Sequence, residues 1–434
     1  MRAILWKSTR RTANGRSISF SSAVRAGLAP DGGLYVPERF PRFVAREFTK
    51  VAASDRLPGV AEALLTPFAA QDPLAAHLAS ACARAFDFPI QLRAPTGKKG
   101  RLFVLELFHG PTGAFKDFGA RFLAESISAL ADPRASRTVL VATSGDTGGA
   151  VAAAFFGKPG IQVVILYPEG KISGRQEKQL TAWGGNVRAF AVQGDFDDCQ
   201  RLAKEAFADP GANARHGWIS ANSINAGRLL PQVAYYVWAS VRYLAETGRE
   251  PSFVIPSGNL GNAMACIWAR KMGFPIARIA LATNANRAVA SFLETGIYLP
   301  KTTVVTLANA MDVGAPSNYE RLAAMYPDVD ELRSFAVSVS VSDAEIRDAI
   351  AAGPRAYAQV WCPHTATAVV AAERLSIPDS VIVATAHPAK FESIVEPLIG
   401  REVPVPDSLK AILERPSQVV RIEAGLKSLL AHLG

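Results

Sequence analysis

Short continuous apolar runs alternate with stretches of helical period along most of the chain. Residues 139–142, 163–166, 187–192, 253–255, 276–282 and 381–384 are rich in β-branched side chains with no polar alternation, the pattern of strands buried on both faces. Most precede helix-like stretches such as 150–155, 228–245 and 263–272. Strand, glycine turn and helix in repetition predict an α/β fold of parallel sheets covered on both sides by helices. Residues 116–130 hold a further helical pattern. At 100° per residue Lys116, Ala120, Leu123, Ile127 and Leu130 share one side, while Asp117, Arg121, Glu125 and Ser128 form a polar stripe that predicts its solvent face.

The first 95 residues mix helical patterns with turn clusters such as Pro30-Asp31-Gly32-Gly33 and close on the loop at 95–100. This predicts a boundary between an N-terminal domain over 1–95 and a core over 96–434. At 434 residues, 49% apolar and 20% charged, the chain is of ordinary globular composition with a sizeable core. Cys82, Cys199, Cys266 and Cys362 are scattered with no CxxC pair, and the six histidines lack HExxH spacing, so neither a disulfide framework nor a metal site is expected. The net charge of +9 fits anionic small substrates. Basic residues cluster only mildly, at 7–16 and 93–101, without interleaved aromatics, and no nucleic-acid partner is expected. No apolar run reaches the ~18 residues of a membrane span, and the N-terminus lacks the apolar region of a secretory signal. The expectation is a cytoplasmic protein without a membrane partner. The sequence leaves monomer and homodimer open.

In parallel sheets, ligands gather where strand C-termini meet helix N-termini. Lys116 lies near such a helix start and off the polar stripe. Desolvation and the positive end of the helix lower the pKa of such an ammonium, and the free amine attacks aldehydes. That is the behaviour of a Schiff-base lysine, with pyridoxal phosphate as the carbonyl partner. A lysine snorkelling to the surface is the plainer alternative. After the run ending at 255, Ser257, Gly258, Asn259, Leu260, Gly261 and Asn262 form a glycine-bearing turn before a helix, suited to cupping a phosphate on backbone N–H groups. The same residues also read as a tight turn capped by Ser257 or Asn259. Thr143, Ser144, Gly145, Asp146 and Thr147 follow the run ending at 142, and their hydroxyls and N–H groups suit a carboxylate. Asp146 is out of place beside an anion, and either caps the helix or bonds a cofactor hydroxyl. Lys171, Ser173 and Arg175 make a compact cationic group suited to a second phosphate, or a solvated loop. Thr385, ending the run at 381–384, offers a neutral hydroxyl to a pyridine nitrogen or simply packs.

With these residues assembled, the chain resembles the threonine synthase family, fold-type II pyridoxal-phosphate enzymes of the tryptophan synthase β-like kind, in its longer microbial and fungal form. The likeness is carried nearly end to end by Ser17-Ile-Ser-Phe-Ser, Gly27-Leu-Ala-Pro-Asp-Gly-Gly-Leu-Tyr-Val-Pro37, residues 109–122 around Lys116, 142–148, Leu166-Tyr-Pro with Gly170-Lys-Ile-Ser173 and Gln176-Glu-Lys178, Ser220-Ala-Asn-Ser-Ile-Asn225, 256–261, Asn309-Ala-Met-Asp312 and Thr385-Ala-His-Pro-Ala-Lys-Phe391. The resemblance implies two open parallel-sheet lobes behind an extra N-terminal domain, with 138–222 as the smaller, substrate-binding lobe. It implies Lys116 as the Schiff-base lysine, the 257–261 turn around the cofactor phosphate, Thr385 at the pyridine nitrogen, and Thr143–Thr147 at the amino-acid carboxylate. The implied reaction converts O-phospho-L-homoserine and water to L-threonine and phosphate, with Lys116 moving protons at Cα and Cβ. The chain departs from the commonest family pattern at Leu260, where phenylalanine is expected, and at Gly113 and Gly149. Two rival readings are a family relative that removes phosphate from another phosphorylated amino acid and a non-catalytic cofactor-binding module.

Overall fold

The computed structural model describes residues 3–10, 16–96, 102–132 and 136–433. The expected boundary loop at 95–100 and the basic groups at 7–16 and 93–101 fall partly outside the described residues. In chain order the strands are β1 (Trp6–Ser8), β2 (Tyr35–Pro37), β3 (Gln91–Arg93), β4 (Phe103–Glu106), β5 (Arg137–Ala142), β6 (Ile161–Pro168), β7 (Val187–Gln193), β8 (Trp218–Ser220), β9 (Ser252–Pro256), β10 (Ile279–Thr283), β11 (Ala336–Ser340), β12 (Ser380–Ala384) and β13 (Val420–Glu423).

Two sheets organise the molecule. The larger runs β11-β10-β9-β12-β4-β3, parallel except for the antiparallel edge β3. The smaller runs β13-β7-β6-β5-β8 and is parallel throughout. The six apolar runs all fall on central strands, although the one expected over 276–282 is paired only from Ile279. The strands without a strong apolar run are short or lie at edges. β13 (Val-Arg-Ile-Glu) alternates because only one face is covered, and β11 (Ala-Val-Ser-Val-Ser) alternates as an edge strand that is only partly covered. β13 extends the smaller sheet beyond 138–222: strand and following helix Leu426–Leu433 come from the C-terminal end, with Ile422 and Leu429 in the core beside Leu202 and Phe190.

The N-terminal segment has no apolar core of its own. Buried Trp6 stacks on Phe20 at 5.3 Å and meets Trp268 of the Gly261–Lys271 helix at 6.0 Å. One apolar cluster continues from these rings through the Pro58–Ala69, Lys116–Ala129 and Val233–Thr247 helices to the inner faces of both sheets. The helical stretch expected at 228–245 is interrupted by a 3-10 turn, Leu230–Gln232, where Pro231 removes a backbone donor.

The Lys116–Ala129 helix forms as expected, but its polar stripe does not face solvent. Asp117 is fully buried and Glu125 nearly so. Asp117 accepts hydrogen bonds from the Thr112 N–H (2.9 Å) and hydroxyl (2.7 Å), and Glu125 is paired with Arg84 (2.5 Å) and Lys158 (2.6 Å). The helix is covered all round, and its charges are matched from neighbouring elements instead of by water.

Candidate active site

Lys116 is the first residue of its helix, and the chain is led there by the end of β12. The Phe115 N–H donates to the Thr385 carbonyl at 2.9 Å, and Ala114 and Ala386 form an isolated bridge. A cavity of about 830 Å³ opens between the two sheets, and Lys116 and Thr385 share its wall. The Lys116 Nζ lies 4.7 Å from the Phe115 ring centroid. Burial pulls the ammonium down to about 8, against the attraction of Asp146, while Lys390 and Arg228 lower it further.

The turn after β9 lies on the same cavity, with Ser257, Gly258, Asn259, Leu260, Gly261 and Asn262 all lining it. Ser257 closes the strand: its N–H donates to Ala282 (2.8 Å) and its hydroxyl to the Ile255 carbonyl (3.0 Å). Asn259 is committed to the loop's shape, donating to Ser223 Oγ (3.0 Å) and accepting from the Ser317 N–H (2.5 Å). Among the described residues, the N–H groups of Gly258, Asn259 and Leu260 have no protein acceptor. Leu260 adopts φ +60°, which turns the chain into the Gly261–Lys271 helix. A Cβ on Gly258 would lie 2.7 Å from Met311 Cα, so the loop approaches its neighbour at glycine distance. Asn262 accepts from the Tyr235 and Tyr236 hydroxyls (2.6 and 2.8 Å), leaving its buried Nδ2 without a partner. Free N–H groups, an orphaned amide and a helix N-terminus around one point fit a phosphate, and the depressed lysine on the same wall fits an aldehyde. The residues present therefore fit pyridoxal phosphate.

The loop after β5 differs in construction. Thr143 Oγ1 accepts from the N–H groups of Gly145 (3.0 Å) and Gly148 (2.9 Å), while Ser144 and Thr147 are half-buried on the cavity. Gly145 holds φ +129° behind them and is not itself on the wall. Asp146 is buried and pairs with Lys390 (3.1 Å), also accepting from Gln176 Nε2 (3.1 Å). Burial alone would raise its carboxyl, but Lys390, and then Lys116, hold it well below the ordinary carboxylate range.

Lys171, Ser173 and Arg175 are not brought to the cavity. Lys171 is exposed, Ser173 caps the Gly174–Thr181 helix and donates to the Lys390 carbonyl (2.9 Å), and Arg175 donates to the Ala389 carbonyl (2.7 Å) beside Glu392 and Glu396. Arg228 is instead on the wall, with Arg10, Lys116 and Lys204. Its guanidinium is buried with no ion-pair partner among the described residues, donates from Nη1 to the Ala221 carbonyl, and leaves Nε without an acceptor. Burial lowers its pKa to about 10, with Asp117 opposing. Sequence reasoning passed over Arg228 although it stands three residues beyond the quoted 220–225 string, and Asn222 and Ser223 of that string also line the cavity. It also passed over His364, whose Nε2 accepts from the Ala310 N–H at 3.1 Å. Burial pulls this imidazole down to about 4, so it is neutral.

A model of pyridoxal-phosphate dependent enzymes matches residues 89–386, flanked by models of the threonine synthase N-terminus (5–86) and C-terminus (365–432). The chain is 40% identical to threonine synthase of Haemophilus influenzae over 96% of each protein, and 34% identical to that of Saccharomyces cerevisiae over 90% of this chain and 88% of the yeast protein. Among solved structures, threonine synthase from Escherichia coli superposes with a TM-score of 0.89 at 35% identity, covering 99% of both chains. The pyridoxal-phosphate-bound threonine synthase from Brucella melitensis gives 0.90 at 33%, covering 99% of this chain and 98% of the other. The chain thus has the expected fold of fold-type II pyridoxal-phosphate enzymes and belongs to the threonine synthase family.

Proposed function

We propose that this chain converts O-phospho-L-homoserine and water to L-threonine and inorganic phosphate with pyridoxal phosphate held on Lys116. The observation that carries the reading is the shared wall: a lysine with its pKa brought down to about 8, the free N–H groups at 258–260 and the Thr385 hydroxyl all border one cavity. When bound, pyridoxal phosphate supplies an electron sink for carbanion character at the substrate's Cα and Cβ. The turn from Ser257 to Gly261, with Asn262, holds the cofactor's phosphate, and Thr385 presents a neutral hydroxyl to its ring nitrogen. Lys116 takes and returns protons at Cα and Cβ, for which a pKa near neutrality is suited. Thr143, Ser144 and Thr147 receive the substrate carboxylate through hydroxyls and N–H groups, Gly145 holds the loop's bend with its N–H on Thr143 Oγ1, and Asp146, also on the wall, acts through its ion pair.

For the substrate's phosphate, Arg228 with Asn222 and Ser223 is the better-supported assignment than Lys171, Ser173 and Arg175, because all three border the cavity and the buried guanidinium has no carboxylate partner among the described residues, whereas the Lys171 group lies off the wall. Expulsion of water from the space between the lobes strengthens each of these contacts. The four unpaired, buried cysteines support work in a reducing compartment such as the cytoplasm.

The test is product analysis after incubating the purified protein with phosphohomoserine, with and without added pyridoxal phosphate. Equal amounts of threonine and phosphate are expected. Phosphate accompanied by a 2-oxo acid would mean another phospho-lyase, and turnover surviving Lys116→Ala would remove Lys116 from the reaction.

A further inference from the structure

Lys390 is a fully buried lysine that touches the site only through others. Its Nζ donates to the Thr112 carbonyl (2.7 Å) and Gln179 Oε1 (2.8 Å) and pairs with Asp146 (3.1 Å). These partners belong to different parts of the molecule. Thr112 lies in the turn leading to Lys116, Asp146 opens the helix after β5, and Gln179 is on the Gly174–Thr181 helix of the smaller lobe. Lys390 itself stands in the turn after β12, held by Ser173 and Arg175 at the carbonyls of Lys390 and Ala389. Gly149 is shaped to this junction: a Cβ there would sit 3.3 Å from both Cβ and Oε1 of Gln179.

We propose that Lys390 is a positioning residue for Lys116: its ammonium draws Asp146 away from the Lys116 amine while fixing the Thr112 turn from which Lys116 projects. This inference rests on the reading of Lys116 as the cofactor lysine. Asp146 is the one carboxylate among the groups that act on Lys116, the others being Lys390, Arg228 and Cys362, with neutral His364 nearby. It forms its ion pair with Lys390 and none with Lys116. Without the Lys390 charge, a buried carboxylate would have Lys116 as its nearest cation, and the amine would retain its proton to higher pH.

The experiment follows covalent capture of pyridoxal phosphate by the apoprotein, read from visible absorption, across pH 6 to 10. The midpoint of the capture rate reports the free Lys116 amine. Lys390→Met is expected to raise that midpoint by about one pH unit, slowing capture about tenfold at pH 7. In the Asp146→Asn background the same substitution is expected to change capture by less than about threefold, because only the direct repulsion between the two ammonium groups remains once residue 146 is neutral. An unchanged midpoint in folded Lys390→Met protein overturns the proposal, as does an equal shift with and without Asp146. Should Lys390→Met alone fail to fold, the double variant, which lacks both charges, carries the test. Capture within about threefold of wild type supports the proposal, and a loss of tenfold or more refutes it. Lys116→Ala separates the two readings: if it still captures the cofactor, the lysine assignment fails, whereas capture lost there together with an unshifted Lys390→Met midpoint removes only the role of Lys390.

Discussion

The loops after β5 and β9 are built to one plan and finished differently. Each ends a buried strand, bends on a residue of positive φ (Gly145 in one, Leu260 in the other) and opens a helix onto the same cavity. The 257–262 loop contains no charged residue, and its shape is set by neutral partners: Ser223 and the Ser317 N–H on Asn259, with Met311 backbone against Gly258. The 143–148 loop carries Asp146, whose charge is matched by Lys390 from the turn after β12. On the proposed function, a cradle made of backbone N–H groups and the neutral Asn262 amide holds its anion the same way at any ordinary pH. The 143–148 loop depends on an ion pair reaching across from the other sheet, so its shape and the charge state of Lys116 are linked.

That contrast breaks first at glycine. Gly258→Ala drives a Cβ against Met311 backbone and is expected to weaken retention of pyridoxal phosphate about 100-fold. Gly145→Ala, at φ +129°, presses on the Gln176 amide and through it on Asp146, Ser173 and Asn309, and is expected to raise the KM for phosphohomoserine about tenfold with the cofactor retained. Cofactor titration and steady-state kinetics of the pair decide it, and equal cofactor loss in both would erase the distinction.

Arg228→Met sharpens the comparison from the cavity floor. It is expected to raise KM about 30-fold while cofactor capture at pH 10 stays unchanged and capture at pH 7 slows only modestly, because the guanidinium meets the substrate directly and acts on Lys116 only by its charge. The melting temperature is expected to hold or rise, since the variant relieves a buried cation that lacks a carboxylate partner. Calorimetry beside kinetics reads both.

Acid is expected to act on the charged side of the site. The unfolded His364 imidazole takes a proton near 6.5 and the folded one only at about 4, so between these values the unfolded chain binds more protons and stability falls as pH falls. Protonation also removes the acceptor for the Ala310 N–H. Buried His387, likewise lowered to about 4, adds in the same direction. Denaturant midpoints between pH 6.5 and 4 are expected to drop more steeply in wild type than in His364→Asn. The smallest effect belongs to Lys171→Ala, whose exposed side chain is away from the cavity: kcat and KM are expected to stay within about twofold. A large rise in KM there would return the substrate phosphate to the Lys171 group.

The sequence showed the central strands plainly because a strand buried on both faces needs an uninterrupted apolar run. It hid β11 and β13, whose alternation follows from lying at sheet edges, and it misled at Asp117 and Glu125. A polar stripe at helical spacing looks the same whether water or a buried partner satisfies it, and Thr112, Arg84 and Lys158 lie on other segments. The strand-end turns and Lys116 were legible because their chemistry is local. Lys390 was not, although its string was quoted: a lysine's burial depends on a carboxylate 244 positions earlier in the chain, here Asp146, and no local pattern records such a pairing. Arg228 was hidden in the same way, inside a stretch that reads only as helix.

β13 has a consequence for the order of folding. The smaller sheet takes an outer strand from residues 420–423, far along the chain from its other strands, so until that segment docks β7 presents an open row of backbone donors and acceptors. A chain in which β13 has not yet docked would expose that row to other chains, making this late pairing the step that seals the lobe against aggregation.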